Sequence, residues 1–389
     1  MLIVTVLLVT GTALVVGRAL LSHRLLLGDH RVVPSGPAGI RPSDVSVVVP
    51  ARNEGTRLPS LLSSLAAQDH RPGEVIVVDD GSDDDTVVVA RAAGCQVVST
   101  DGPPPGWTGK AWACHTGAQR AAGSVLLFLD ADTVLAPAAL EGLLSLHSEL
   151  PGLLSVQPYH QPARGYEQLS AYCNVVPLLA SGAFSSWTQV PPMAFGPCLV
   201  TSRSDYLRSG GHAAARSTIV DDVGLARAYA SQGLPVRCAL GGSAVQMRMY
   251  PQGLRQLVEG WTKNLAAGAR FAGRRPAAAA TVWLCAHWFV AVGTVLAVWS
   301  AATSPGGHPG GVGMAALGVV AWLAIAAQLR WLLHQVGSFR WWTWVLFPVT
   351  LTTFGLLFAG SCLLSLGVRQ VRWRGRVVPV SGAAAQESG

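Results

Sequence analysis

The chain has 389 residues; 50% are hydrophobic, only 13% are charged, and the formal net charge is +7. That is too apolar for an ordinary soluble enzyme and points to membrane segments. The positive balance comes mainly from arginines beside apolar runs, which suits a membrane bilayer with anionic headgroups. No RNA-binding aromatic motif and no base-reading basic helix occurs, so nucleic acid is excluded as a partner.

Residues 1–21 are rich in Leu and Val, with Arg18 as their charged side chain and Arg24 and Arg31 beyond. A signal peptide starts with positive charge and ends at a small-residue cleavage site. Neither is present, so this segment reads as an uncleaved transmembrane anchor with the following segment on the cytoplasmic side. Residues 22–44, with Pro and Gly clustered in Pro34–Asp44, read as a linker.

From Val45 the pattern is α/β. Strands at Val45–Val49, Val75–Val78, Gln96–Ser99 and Val125–Leu129 alternate with helices at Leu58–Gln68, Thr86–Ala93 and Lys110–Ala121. That alternation predicts a parallel sheet with crossover helices. Such sheets bind ligands beyond the carboxyl ends of their strands. Three polar clusters follow strands: Pro50 to Glu54 with Arg52 and Asn53, then Asp79-Asp80-Gly81-Ser82, then Asp130-Ala131-Asp132. They are expected on one rim. A helix at Ala139–Leu146, strands at Leu153–Gln157 and Ala194–Thr201, and helices at Ser204–Ser209 and Asp221–Gln232 continue the domain, assigned to residues 45–250. Asp221 and Asp222 begin the last helix, where carboxylates suit the helix dipole even with no chemistry to do. The apolar stretch Gly165–Phe184 reads equally as a buried helix or as one lying at the bilayer surface.

Residues 251–276 carry an apolar stripe through Leu254, Leu257, Val258, Trp261 and Leu265, an amphipathic helix for the membrane interface or the domain core. Residues 277–368 form a C-terminal transmembrane region with spans at Ala279–Ala301 and Met314–Leu333, a loop at Ser304–Gly313, and a third stretch at Trp342–Leu366 broken by Pro348. Residues 369–389 form a basic tail with Arg369, Arg372, Arg374 and Arg376, disordered from Ser381. One anchor plus three crossings puts this tail outside, against the charge rule. One C-terminal stretch is therefore expected to be re-entrant or interfacial, giving a multi-pass cell-membrane protein with domain and tail in the cytoplasm. The seven cysteines are scattered singly, without a Cys-x-x-Cys pair, and read as reduced.

Asp130 and Asp132 end an apolar strand, where unpaired charge is costly. Two hard carboxylates there suit Mg2+ or Mn2+, ions that bridge protein oxygens to substrate phosphates. A metal so held serves transfer of a sugar from a nucleotide diphosphate, since it neutralises the departing diphosphate. Asp80 and the Pro50–Glu54 loop are candidates for the nucleotide's base and ribose, Lys110 for its diphosphate, and Asp222 for the base that activates the acceptor.

The motifs VVVPARNE, VVDDGSDDDT, GWTGKAWACHTGA, FLDADT, DDVGLA and MYPQGLRQLVEGWTKN occur in that order. Together they resemble the membrane-anchored family-2 glycosyltransferases of GT-A fold, most closely the bacterial carotenoid-acid and hopanoid-associated branch. The resemblance covers about Ser46 to Asn264, with a looser match at Trp373–Arg376. It implies an α/β GT-A domain with a Rossmann-like mixed, mostly parallel sheet. It also implies inverting transfer of a hexose, glucose, from a UDP-sugar to a lipid acceptor such as a carotenoid acid or hopanoid. By the same resemblance Asp80 contacts the uracil or ribose end, with Pro50, Arg52 and Glu54 on the donor side. Lys110 lies near the nucleotide, Asp130 and Asp132 bind Mg2+ or Mn2+, Asp222 is the catalytic base, and Trp261 matches the Trp of the Gln-x-x-Arg-Trp motif. This chain departs from that motif: Gln256 precedes Trp261 by five residues, and Gly260 stands where Arg is expected. Lys263 or a tail Arg then becomes the candidate cation. The same departure weighs against a processive polysaccharide synthase. An inactive nucleotide-sugar-binding scaffold has no reason to keep Asp80, Asp130, Asp132 and Asp222 together.

Overall fold

The computed structural model describes residues 1–23, 25–27, 40–187, 190–218, 220–303, 309–367, 370–373 and 376–379. Arg24, Arg31, most of the expected linker, residues 304–308 of the expected loop, Arg369, Arg374 and the stretch from Ser381 lie outside these. In chain order the elements are α1 (Leu2–Leu20), β1 (Val45–Ala51), α2 (Leu58–Ala66), β2 (Glu74–Asp79), α3 (Thr86–Ala92), β3 (Gln96–Ser99), α4 (Gly109–Arg120) and β4 (Val125–Leu129). Next come β5 (Thr133–Leu135), α5 (Ala139–Glu149), β6 (Leu153–Gln157), β7 (Tyr159–His160), α6 (Ala171–Ser181), β8 (Cys198–Ser202), α7 (Arg203–Arg208), α8 (Gly211–Ala214) and α9 (Asp221–Ser231). The remainder is β9 (Val236–Leu240), β10 (Val245–Met247), α10 (Leu254–Ala269), α11 (Arg274–Thr303), α12 (Pro309–Val336), α13 (Trp342–Val345), α14 (Phe347–Gly367), β11 (Gln370–Trp373) and β12 (Arg376–Pro379).

The chain divides into two compact units. The α/β unit comprises Leu25–Gln161, Pro192–Met249 and Leu363–Gly389. Its main sheet has seven strands in the order β3-β2-β1-β4-β8-β6-β9. Neighbouring strands are parallel except at β8, which runs antiparallel to both β4 and β6. The sheet is therefore mixed. The region expected as a strand from Ala194 enters the ladder only at Cys198, leaving residues 194–197 as a lead-in that turns at Gly196–Pro197.

Alternation along the strands builds the core, since successive side chains point to opposite faces. Val45, Val47 and Val49 pack with Leu58, Leu61, Leu65, Leu140 and Leu143 of α2 and α5 on one face. Val48, Ile76, Val78, Leu126 and Phe128 pack with Cys114 of α4 and Leu225 and Tyr229 of α9 on the other. Burial on both faces explains why β4 reads as an unbroken apolar run, Val125-Leu126-Leu127-Phe128-Leu129. Gly152 leads into β6 at φ +105°, where a Cβ would lie 2.3 Å from the Pro235 carbonyl oxygen. Only glycine meets both demands.

The second unit comprises Met1–Arg24, Pro162–Pro191 and Tyr250–Cys362. The described residues of Pro162–Pro191 thus group with the apolar helices, within the span 45–250 that the sequence assigns to one domain. Among the described residues, four helices are long and apolar enough to cross a membrane: Leu2–Leu20, Arg274–Thr303, Gly310–Val336 and Phe347–Leu364. The expected third C-terminal stretch breaks at Leu346, just before Pro348, into α13 and α14. Length does not single out one of the three C-terminal helices as re-entrant. Several buried polar groups in this unit are paired across helices, which suits a water-poor surrounding. Trp283 Nε1 donates to Gln328 Oε1 at 2.9 Å, and Gln328 Nε2 donates to the Leu14 carbonyl at 2.8 Å. Tyr172 Oη lies 2.6 Å from His287 Nδ1.

Candidate active site

The carboxyl end of β4 is the centre of the site. The Asp130 amide donates to the Pro197 carbonyl at 3.0 Å, and the Thr133 amide to the Asp130 carbonyl at 3.0 Å. These bonds turn the chain sharply after the strand and leave the Asp130 side chain at the rim, about 27% exposed. Thr108 caps α4, its hydroxyl accepting the Ala111 amide at 3.4 Å, which sets Lys110 in the first turn. From there the Lys110 ammonium reaches both oxygens of Asp130, at 2.7 and 3.0 Å. Burial alone pushes that ammonium toward its neutral form. Asp130 and then Asp221 outweigh burial and hold Lys110 well above its usual range, so it is a cation at every working pH.

Asp221 and Asp222 open α9, whose N-terminus faces the same cleft. Asp222 accepts the Val223 amide at 2.9 Å and also the Gly196 amide. Burial, then the neighbouring Asp221 charge, push its carboxyl up to about 7, although Lys110 and the two amides pull the other way. A carboxylate poised there is a far better base than an exposed one. His212 is buried beneath, its Nδ1 3.0 Å from Tyr206 Oη and its ring edge-on to Phe128. Burial, then Lys110 and His115, push it down to about 3, so it contributes a neutral imidazole.

Of the residues singled out in the sequence, the cleft lining gathers Pro50, Lys110, Asp130 and Asp222. Asp80 forms a second group on the same sheet edge, at the end of β2. It is buried, its amide donates to the Ala51 carbonyl at 2.9 Å, and Thr100 Oγ1 donates to its carboxylate at 3.3 Å. Arg52 donates to the Asp80 carbonyl at 3.0 Å, with its guanidinium 3.7 Å from the Asp80 carboxylate. Glu54 is buried against Arg57 at 3.3 Å, and its amide donates to Thr86 Oγ1 at 2.8 Å. Asp132 lies in the turn between β4 and β5, partly exposed. Trp261 belongs to the second unit: it is buried on α10, donates to Ser170 Oγ at 3.0 Å, and meets Tyr250 edge-on. Gly196 is a cleft residue that no sequence signal announces, since a single glycine before a proline normally marks only a turn.

Among the described residues no group of three or more His, Cys, Asp or Glu is placed to hold a metal. The pair Asp130 and Asp132 fits Mg2+ or Mn2+ in another way. Both are hard oxygen donors at an accessible rim, and such ions take their remaining ligands from phosphates and water. Lys110 supplies fixed positive charge at the same carboxylate.

The mixed α/β sheet gathers Lys110, Asp130 and Asp222 in one cleft beyond the carboxyl end of β4, and the class of the protein follows from its relatives. Residues 46–206 match the Glycosyl transferase family 2 profile. The chain is 37% identical over 267 residues to a 4,4'-diaponeurosporenoate glycosyltransferase of Staphylococcus haemolyticus, covering 67% of this chain and 70% of that one. It is 33% identical over 344 residues to the enzyme of that name in Staphylococcus aureus strain MRSA252, covering 87% and 88%. The chain belongs to glycosyltransferase family 2. The fold is shared with a mannosyltransferase from Pyrobaculum calidifontis, solved with GDP-Man and Mn2+, at TM-score 0.53 and 18% identity over 94% of this chain and 99% of that one.

Proposed function

We propose that the protein moves glucose, with inversion, from UDP-glucose to a carotenoid acid held in the membrane. The observation that carries the reading is Asp222, raised to about 7 in the same cleft as the Lys110–Asp130 pair. One cleft thus offers a base and a site for the departing diphosphate, as a single displacement requires. Lys110 draws the diphosphate to the rim and holds it there by charge. Asp130 and Asp132 would hold Mg2+ or Mn2+, which when bound neutralises the leaving diphosphate. Asp80, with Arg52 beside it, positions the uridine end, Glu54 stands on the donor side, and Pro50 lines the cleft. Asp222 orients the acceptor oxygen and takes its proton. A carboxyl carried by an apolar chain at a bilayer is itself pushed toward its neutral form, so it too arrives with a proton to lose.

The relatives' names specify a carotenoid acid, which supports that acceptor over a hopanoid. The span-length helices support a multi-pass membrane protein; the α/β unit, to which the chain after α14 also belongs, faces the cytoplasm where the soluble donor is, so one C-terminal helix does not cross fully. The test is incubation of the membrane-embedded protein with labelled UDP-sugars and 4,4'-diaponeurosporenoate, followed by mass spectrometry. A single hexose added to the acid, from UDP-glucose in preference to other donors, is the expected product. A polymer, or transfer only to other lipids, overturns the reading.

A further inference from the structure

The short lead-in to β8, residues 193–197, touches every part of the cleft chemistry. The Pro197 carbonyl accepts the Asp130 amide at 3.0 Å and the Thr133 hydroxyl at 3.4 Å. The Gly196 amide donates to the Asp222 carboxylate. Behind it, Ser155 on β6 grips Phe195 twice: its Oγ accepts the Phe195 amide at 2.6 Å and donates to the Phe195 carbonyl at 3.1 Å. Ser155 is fully buried, at 0% exposure, and is not among the residues lining this cleft. Cys238 on β9 adds a contact from its Sγ to the Met193 carbonyl at 3.1 Å.

Gly196 has no backbone need to be glycine, because its φ is not in the left-handed region. Its reason is steric. A Cβ built there lies 3.0 Å from Lys110 Nζ and 3.1 Å from Asp222 Oδ2. Ordinary contact distances between heavy atoms are about 3.5–4.0 Å. The bare α-carbon is what lets the ammonium and the carboxylate face the same point.

We propose that Gly196, locked in place by Ser155, is the positioning residue that sets Asp222 against the Lys110–Asp130 pair. The proposal rests on the reading of Asp222 as the base. Its amide steadies the ionised carboxylate, and its missing side chain keeps open the space between base and cation. The charged and titratable groups facing Asp222 are Asp221 on its own helix, Lys110 on α4 and the Cys238 thiol on β9.

The test uses the full-length protein in membranes, with steady-state kinetics against pH for Gly196→Ala, Ser155→Ala and Asp222→Asn. A Cβ at these distances displaces its neighbours by a few tenths of an ångström, and displacements of about 1 Å at reacting groups cost about a hundredfold in rate. Gly196→Ala is accordingly expected to lower kcat by roughly 2- to 10-fold with donor KM changed less than about threefold. Ser155→Ala frees Phe195 and so withdraws the Gly196 amide. That removes a donor that favours the ionised carboxylate, so the pH midpoint of kcat moves upward, and kcat per folded molecule falls. A purely structural serine would lower the melting temperature and leave the midpoint alone. With Asp222→Asn inactive, wild-type kcat and an unmoved midpoint in the folded Ser155→Ala and Gly196→Ala proteins overturn the proposal. The base reading fails separately, through Asp222→Asn transferring at the wild-type rate.

Discussion

Replacing Asp222 by Asn is expected to abolish activity and to stabilise the protein at alkaline pH, and the two effects share one cause. The unfolded chain releases this proton near an ordinary 3.8, whereas the folded chain holds it to about 7. Between those values the folded state binds more protons, so stability falls as pH rises, and above 7 the whole cost stands. At about 1.36 kcal/mol per pH unit the cost is on the order of 4 kcal/mol. The Val223 and Gly196 amides and Lys110 already lower that value, so the cost is net of them and asparagine escapes it. A gain of up to about 4 kcal/mol is expected at high pH, and it vanishes near pH 4. The same substitution removes a general base, a contribution of about 10²- to 10⁴-fold. The assay pairs glucosyl transfer with thermal melting of the solubilised protein at pH 8.5 and pH 4.5. Near-normal transfer, or a stability gain at pH 4.5 absent at pH 8.5, refutes the reasoning.

In the wild type, kcat is expected to rise with pH through a midpoint near 7, as Asp222 ionises, read from initial rates at saturating donor. Asp132→Ala should weaken Mn2+-dependent UDP binding by at least about tenfold, measured by calorimetry with and without metal; unchanged metal dependence counts against the ligand role. Lys110→Met frees both oxygens that the ammonium now spans. It should tighten binding of Mn2+ alone while raising donor KM, a split that spin-resonance titration and kinetics can separate. Gly152→Ala combines a left-handed φ with a 2.3 Å approach to the Pro235 carbonyl. It should cost roughly 3 kcal/mol or more, seen as low folded yield with no selective loss of donor binding.

The rim around β4 was legible because its signals are local: an apolar run buried on both faces, ended by carboxylates, with Lys110 at a capped helix start. The direction of β8 was not, because an isolated run such as Cys198–Ser202 looks the same whichever way it pairs. β9 and β10 escaped notice because Arg237 and Gln246 interrupt short strands whose order comes from ladder bonds to β6 and β5. The assignment of residues 162–191 was equally hidden. Tyr172, Leu178 and Phe184 read as core residues of any domain, and only three-dimensional packing shows that Tyr172 is held by His287 and Trp283. Gly196 shows the limit most sharply, since its role depends on two side chains far away in sequence.

The interrupted α/β unit has a practical consequence for protein production. Cutting the chain before Tyr250 and after the first helix does not yield a water-soluble enzyme. Residues 162–191 would stay behind, exposing Tyr172, Leu179 and Phe184, all fully buried in the whole protein. A secretable or crystallisable derivative instead needs that insert excised and Gln161 joined to Pro192 by a short polar bridge.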